Sequence, residues 1–237
     1  MRVLAAVLAM AAMVSLPCLG RAQTTYTLYP QEDGWVNEAN PTANYGNATY
    51  LSVKDRSGLA EAYMRFSDAD LAGLRGQDIA SASLFLYQYQ GTYSPGDSLN
   101  LHKVTTGWQE ATLVWNNRPG YEAAPISALI LSDGNLQWRQ WQGLEGCVGS
   151  WLDGNNFGLA LENGMDGAEE ELFARFYSSE YADSSLRPYL RVTTTPEPVS
   201  ATLFLLGSGV LSFVPALCRK RSGGLLPKDT ETKSRGA

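Results

Sequence analysis

The sequence predicts an all-β sandwich carried between an N-terminal export signal and a C-terminal membrane-spanning helix. Three observations point there: about a dozen short β-rich segments separated by turn residues, an in-out alternation along the longest of them, and two apolar termini bracketing an acidic, polar middle.

The first 22 residues read as a signal peptide. Met1–Ala22 opens with Arg2, runs apolar from Val3 to Val14, and places small Gly20 and Ala22 before a cut at Gln23. Cys18 follows Pro17 where a lipid-modified cysteine needs a small neighbour, so no lipid anchor is expected. At the other end, Val199 to Cys218 is an uncharged stretch of 20 residues. At a rise of about 1.5 Å per residue it spans a bilayer core, and Arg219, Lys220 and Arg221 follow as a positive-inside stop. Residues 222–237 form a short tail on the inner side. Removing both ends leaves about 175 residues, enough for one buried core and short for two.

The formal charge of −6 is unevenly divided. Between Ala22 and Pro196 ten Lys/Arg stand against twenty-one Asp/Glu, so the middle carries −11. Such a surface repels phosphate backbones, and nucleic acid is not an expected partner. The three cysteines, Cys18, Cys147 and Cys218, fall one in each part, which leaves no disulfide within the domain. Cys147 has no nearby His or Lys to activate it and reads as a buried small hydrophobe.

In chain order, strands are expected at Thr24–Pro30, Gly34–Glu38, Tyr50–Asp55, Glu61–Ser67, Ala80–Gln90 and Ser98–Thr105. The second half continues with Thr112–Trp115, Ile126–Leu131, Leu136–Trp141, Phe157–Glu162, Leu172–Ser178 and Pro188–Thr194. Successive strand residues face opposite sides of a sheet, so Ala82, Leu84 and Leu86 make one row and Phe85, Tyr87 and Tyr89 the other. The aliphatic row suits the core and leaves an aromatic ladder on the far face. Leu144–Leu152, with Leu144, Val148, Trp151 and Leu152 at helical spacing, is the single helix expected. Thr193 to Pro198 is a Pro/Thr linker.

Pro196-Glu197-Pro198, an apolar span and Arg219-Lys220-Arg221 together resemble a PEP-CTERM sorting signal, here residues 195–221. That resemblance implies export, residence in the inner membrane and cleavage by an exosortase-type enzyme, in bacteria that make exopolysaccharide. The 16 residues after the basic cluster depart from the pattern, which usually stops there.

Residues 23–194 resemble the DNRLRE domain, also grouped as carbohydrate-binding module family 96 and related to disaggregatase repeats. The likeness rests on Asp33-Gly34-Trp35-Val36, on Asn40 to Gly46, on Ala62-Tyr63-Met64-Arg65-Phe66 and on Ile79 to Leu84. Its most specific block runs from Trp108 to Pro119, and it closes with Ser179-Glu180 and Arg187 to Val192. It implies a jelly-roll-like antiparallel β-sandwich that binds polysaccharide at the cell surface or in the matrix. The motifs read as architecture: Trp108 and Trp115 are apolar anchors, and Asn116 to Gly120 is turn chemistry.

No G-x-S-x-G, H-E-x-x-H or P-loop is present, and the domain holds one histidine, His102, so no catalysis is expected. Asp153 and the run Glu169-Glu170-Glu171 are carboxylates of the kind a glycosidase uses, but in a Gly-bounded run they read as a solvated loop. Sugar binding needs flat apolar faces and a few fixed polar groups, and Phe85, Tyr87, Tyr89, His102 and Arg175 supply them if their strands adjoin. No cofactor is expected. Asp33, Asn37, Asn40 and Asn44 offer oxygens to a structural calcium, without EF-hand spacing. The alternatives are a structural surface protein with no glycan affinity and a polysaccharide lyase or hydrolase.

Overall fold

The computed structural model describes residues 23–94, 96–131, 136–164 and 172–195. The expected signal peptide, the expected sorting motif at Pro196, Glu197 and Pro198, the expected membrane segment, the basic cluster and Glu169–Glu171 lie outside these residues. Among the described residues no helix is long and apolar enough to cross a membrane.

The strands are β1 (Thr24–Leu28), β2 (Pro30–Asn37), β3 (Tyr50–Lys54), β4 (Ala60–Phe66), β5 (Asp78–Thr92) and β6 (Ser98–Lys103). They continue as β7 (Ser127–Ile130), β8 (Gln137–Gln142), β9 (Leu159–Asn163), β10 (Phe173–Tyr177) and β11 (Tyr189–Thr195). All pairings are antiparallel, and they link into one 11-stranded sheet that curls on itself.

Strand β5 is the spine. Ser83, Leu84 and Phe85 pair with β11 on one edge and with β8 on the other, while Gln88 pairs with both β8 and β10. Strands β11 and β10 therefore share one edge of β5 end to end, opposite β8. From this arm the sheet passes through β10 and β3 to β4 by a single pair, Lys54 with Ala60, and then through β9 and β6 to β7.

The two arms enclose one core. Leu84 and Leu86 of β5, Phe176 of β10, Val53 of β3, Met64 of β4, Leu161 of β9 and Leu101 of β6 are fully buried or nearly so. Trp141 of β8 crosses the core and donates its indole N–H to the Leu99 carbonyl of β6 at 3.1 Å. The hydrogen bond lets a large apolar ring be buried with its one polar atom satisfied.

A second apolar cluster lies on the outer side of β4 and β9, where Val36, Tyr63 and Ala160 are covered by Trp108 and Leu113 of the segment after β6. Thr112–Trp115, expected as a strand, instead lies within and between two 3-10 turns, Glu110–Thr112 and Trp115–Asn117. The reason is local: Asn117 accepts from the Val114 amide at 2.8 Å and donates to the Thr112 carbonyl at 2.8 Å, so it takes the backbone groups a ladder would need. Asn44 locks the same segment by donating to the Glu110 and Leu113 carbonyls at 2.7 and 2.8 Å. Gly46 lies so close beneath it that an added Cβ would stand 2.9 Å from the Glu110 carbonyl oxygen.

Helix α2 (Glu145–Leu152) stands where expected, with Val148 and Trp151 turned inward. A one-turn helix, α1 (Asp68–Leu71), was not expected; Ser67 caps it by accepting from the Ala69 amide at 3.1 Å. Replacing Trp141 with Ala is expected to lower unfolding free energy by about 3–5 kcal/mol in a urea titration. Asn44→Ala, which strands two backbone carbonyls, is expected to cost about 1–3 kcal/mol in the same measurement.

Candidate functional site

The outer face of the β5 arm carries a continuous group of aromatic side chains. Phe85, Tyr87 and Tyr89 alternate with buried Leu84, Leu86 and Gln88, so they point away from the core and stay half-buried. Register supplies their neighbours: Phe85 lies opposite Tyr189 of β11, Tyr87 opposite Trp138 of β8, and Tyr177 of β10 opposite Tyr50 of β3. Ring centroids are 4.7 Å apart for Phe85 and Tyr189, 4.6 Å for Tyr89 and Tyr177, and 3.5 Å for Tyr177 and Tyr181, all nearly parallel. Such cross-strand stacks each contribute about 0.5–1.5 kcal/mol beyond burial and hold the rings in fixed positions.

Stacked rings cover one another's faces and leave their edges as the part a ligand can meet. Trp138 is set crosswise, at 84° to Tyr87 and 65° to Tyr189. A hydrogen bond with Tyr181 pushes the Tyr177 phenol up to about 12, so that hydroxyl stays neutral at ordinary pH.

Two guanidinium groups join the rings. Arg191 lies 4.9 Å from the Phe85 centroid and Arg175 lies 4.6 Å from that of Tyr50 and 4.7 Å from that of Phe173. Arg175 donates to the Gln90 side-chain oxygen at 3.3 Å and Arg191 to the Tyr189 hydroxyl at 3.4 Å. Arg65, Arg118 and Lys103 pair with Glu32, Glu61 and Glu122, whereas Arg175 and Arg191 meet no carboxylate among the described residues. A domain with a twofold excess of acids thus keeps two cations on one face without an acidic partner among the described residues.

Of the residues expected from sequence, Phe85, Tyr87, Tyr89 and Arg175 are brought together and His102 is not. His102 sits on the other arm, 3% exposed, with Nδ1 2.7 Å from the Glu122 carbonyl and Nε2 2.9 Å from the Glu162 carboxylate. Its row on β6 faces the covered cluster rather than β5, so a ligand on the aromatic face does not meet it. Burial alone would lower its pKa, but the bonds to Glu162 and Glu122 and the nearby Glu162 and Glu61 charges outweigh it and raise the value.

The neighbouring polar groups are also occupied. Tyr63 donates to Glu61 at 2.6 Å, and burial followed by the Glu61 charge raises both the Tyr63 and the Tyr121 phenol. Arg118 stacks over Trp115 at 3.7 Å while pairing with Glu61 at 3.3 Å. A cleft of about 470 Å³ runs along this block past Arg65, Trp108, Gln109 and Asn117, but the amide of Asn117 is already bonded to backbone.

Among the oxygens considered for calcium, Asn37 accepts from the Ala39 amide and Asn44 from the Gly46 amide, both turn bonds; Asn40 lends its carbonyl to Ala43. Asp33 is buried beneath the loop after β10 and accepts from the Ser179 amide at 2.9 Å. Burial pushes the Cys147 thiol up to about 12, which keeps it inert.

The chain matches carbohydrate-binding module family 96 over residues 24–194, from the first strand almost to the last residue of β11. It belongs to that family. The chain is also 33% identical over 106 residues to a gellan lyase from a Bacillus species, a match covering 44% of this chain and 4% of that protein. The chain therefore spans only a small fraction of the relative it matches.

Within the family 96 module the residues of the candidate face missed in the sequence are Tyr50, Trp138, Tyr177, Tyr181, Tyr189 and Arg191. Trp138 had a signal: it is three residues from Trp141, so on one strand the two must face opposite sides. The others needed register.

Because the folded-state pKa of His102 is raised, its contribution to stability is complete below the ordinary value of about 6.5 and is lost as pH rises through the folded value. The difference in unfolding free energy between the wild-type chain and His102→Gln is expected to be largest near about pH 6 and to shrink by about pH 9, measured by denaturant titration.

Proposed function

We propose that this chain is an exported, non-catalytic module that holds a carboxylate-bearing polysaccharide against the outer face of β5, β8, β10 and β11. The observation that carries the reading is the juxtaposition there of a fixed aromatic group with Arg175 and Arg191, neither paired with an acid among the described residues. Sugar rings present apolar C–H faces to aromatic surfaces, and phenols and amides bond their hydroxyls. A guanidinium fork matches a carboxylate and discriminates a charged polymer from a neutral one. Membership of a carbohydrate-binding family and the relative named as a gellan lyase both support a polysaccharide as ligand. A match to 4% of that enzyme suits an accessory module better than a catalytic centre.

A binding rather than lytic role is favoured by the state of the acid–base groups. His102 is buried between two partners, and the Tyr63 and Tyr121 phenols are pushed upward, away from the poised range a general base needs. The curled sheet is read as a jelly-roll-like sandwich of the DNRLRE kind. Signal peptide 1–22 would export it, and the PEP-CTERM-like segment at Pro196–Pro198, the apolar span 199–218 and Arg219, Lys220 and Arg221 would hold it in the inner membrane. An exosortase-type enzyme would then pass it to the surface or matrix.

Affinity electrophoresis of the full chain through gels containing gellan, polygalacturonate or neutral dextran tests the ligand class. Retention is expected in a carboxylated polymer and not in dextran. Trp138→Ala and Tyr87→Ala are each expected to weaken retention about tenfold, equivalent to about 1.4 kcal/mol. Arg191→Ala is expected to reduce its dependence on salt. Equal mobility of wild type and all three variants in every gel would dismiss this face, and release of new reducing ends from the polymer would make the chain an enzyme. Mass spectrometry of the protein recovered from its native host is expected to find a start at Gln23 and an end near Pro196–Pro198.

A further inference from the structure

The two arginines of the aromatic face stand along one edge of β5. Arg191 of β11 pairs with Ser83, and Arg175 of β10 pairs with Gln90. Strands β11 and β10 follow each other on that edge, so β5 itself sets the distance between the two. The register shift beside Arg175 takes up one residue. At a strand rise of about 3.3 Å per residue, the two backbones then lie roughly 20 Å apart.

Neither guanidinium swings freely. Arg175 is wedged between the rings of Tyr50 and Phe173, 4.6 and 4.7 Å from their centroids, and donates to the Gln90 side chain at 3.3 Å. Its Nε is buried and meets no acceptor, so the rings hold the group rather than a full set of hydrogen bonds. Arg191 leans along the strand toward Phe85 and Tyr189, 4.9 and 5.5 Å from their centroids, and donates to the Tyr189 hydroxyl at 3.4 Å. That lean is toward Arg175, which brings the charged ends to about 15–20 Å from each other.

The rings fill the interval. From Arg191 onward come Phe85 with Tyr189, then Tyr87 with Trp138 and Tyr177, then Tyr89. The gap where β11 gives way to β10 falls at Tyr87, in the middle of the row. A chain crossing the strands would meet one arginine at most. One such level holds Gln142, Ser83, Arg191 and Thr27, and another holds Gln90, Arg175 and Ser52. Only a chain lying along β5 reaches both cations.

We propose that the glycan lies lengthwise along β5 and that Arg191 and Arg175 each take a carboxylate of the same chain, several sugar rings apart; this rests on the binding face proposed above. The face thereby selects polymers whose acidic sugars recur at that spacing and passes over short acidic oligosaccharides. Once one guanidinium holds a carboxylate, the second pairing is intramolecular, and the length of glycan between them sets its effective concentration. An oligomer too short to span makes a single exposed ion pair, which solvent and salt weaken.

Isothermal titration calorimetry of the full chain with tri- and hexagalacturonate, in which every sugar carries a carboxylate, tests the span. The hexamer is expected to bind wild type at least about twentyfold more tightly than the trimer. That step is expected to shrink below about fivefold in Arg175→Ala and in Arg191→Ala alike, since each leaves one cation. If Arg175→Ala does not fold, Arg175→Met, which keeps an apolar stem between the two rings, takes its place. A wild-type hexamer no tighter than the trimer, or a step that survives either substitution, overturns the lengthwise span. Retention of polygalacturonate in the gel alongside that result leaves the binding face standing, and its loss removes both.

Discussion

Everything in this protein turns on β5 being paired along both edges. A strand with β11 and β10 on one side and β8 on the other cannot slip by one residue without carrying Leu84 and Leu86 out of the core and Phe85 and Tyr87 into it. The same register that buries the aliphatic row therefore sets the aromatic row on the opposite face. The core and the candidate binding surface are two consequences of one alignment.

The two arms treat their outer faces differently. Over β4 and β9, the segment from Val104 to Tyr121 lies down as a cover, with Trp108 packed on Tyr63 and bonded to the Phe157 carbonyl at 2.9 Å. Over β5 no such cover is present among the described residues, and the aromatic side chains stay half-buried. Large half-buried rings on an uncovered sheet leave apolar area in water, a cost that natural surfaces accept mainly where something binds. Cross-strand stacking lowers that cost and orders the rings in advance, so little side-chain entropy remains to be lost to a ligand.

Charge follows the same division. The basic residues around the covered face are paired with glutamates, and the cation–π contacts of Arg175 and Arg191 stand in for ion pairs on the open one. The most specific sequence block, Trp108 to Pro119, belongs to the covered side. Its conspicuous residues, Trp108, Asn117 and Arg118, serve packing and turn geometry. The block on which the resemblance chiefly rests lies away from the candidate binding face.

Alternation and turn residues were enough to place most strands, the helix at Glu145–Leu152 and the outward row Phe85, Tyr87 and Tyr89, because these depend on periods of 2 and 3.6 within one segment. Thr112–Trp115 failed because its apolar residues look like a strand while Asn117 and Asn44 take up its backbone. His102 was misgrouped with Arg175 for another reason. Composition shows that each is a polar residue inside a strand, but only the pairing of β6 with β9 and of β10 with β5 decides which face and which arm each occupies. The chain's own order thus determined what each segment becomes, since local periodicity is a property of neighbours. The company of Tyr177, Tyr189 and Trp138 around Tyr87, and the placing of Arg175 and Arg191 along one edge of β5, join residues far apart in the chain, and long-range register alone settles such contacts.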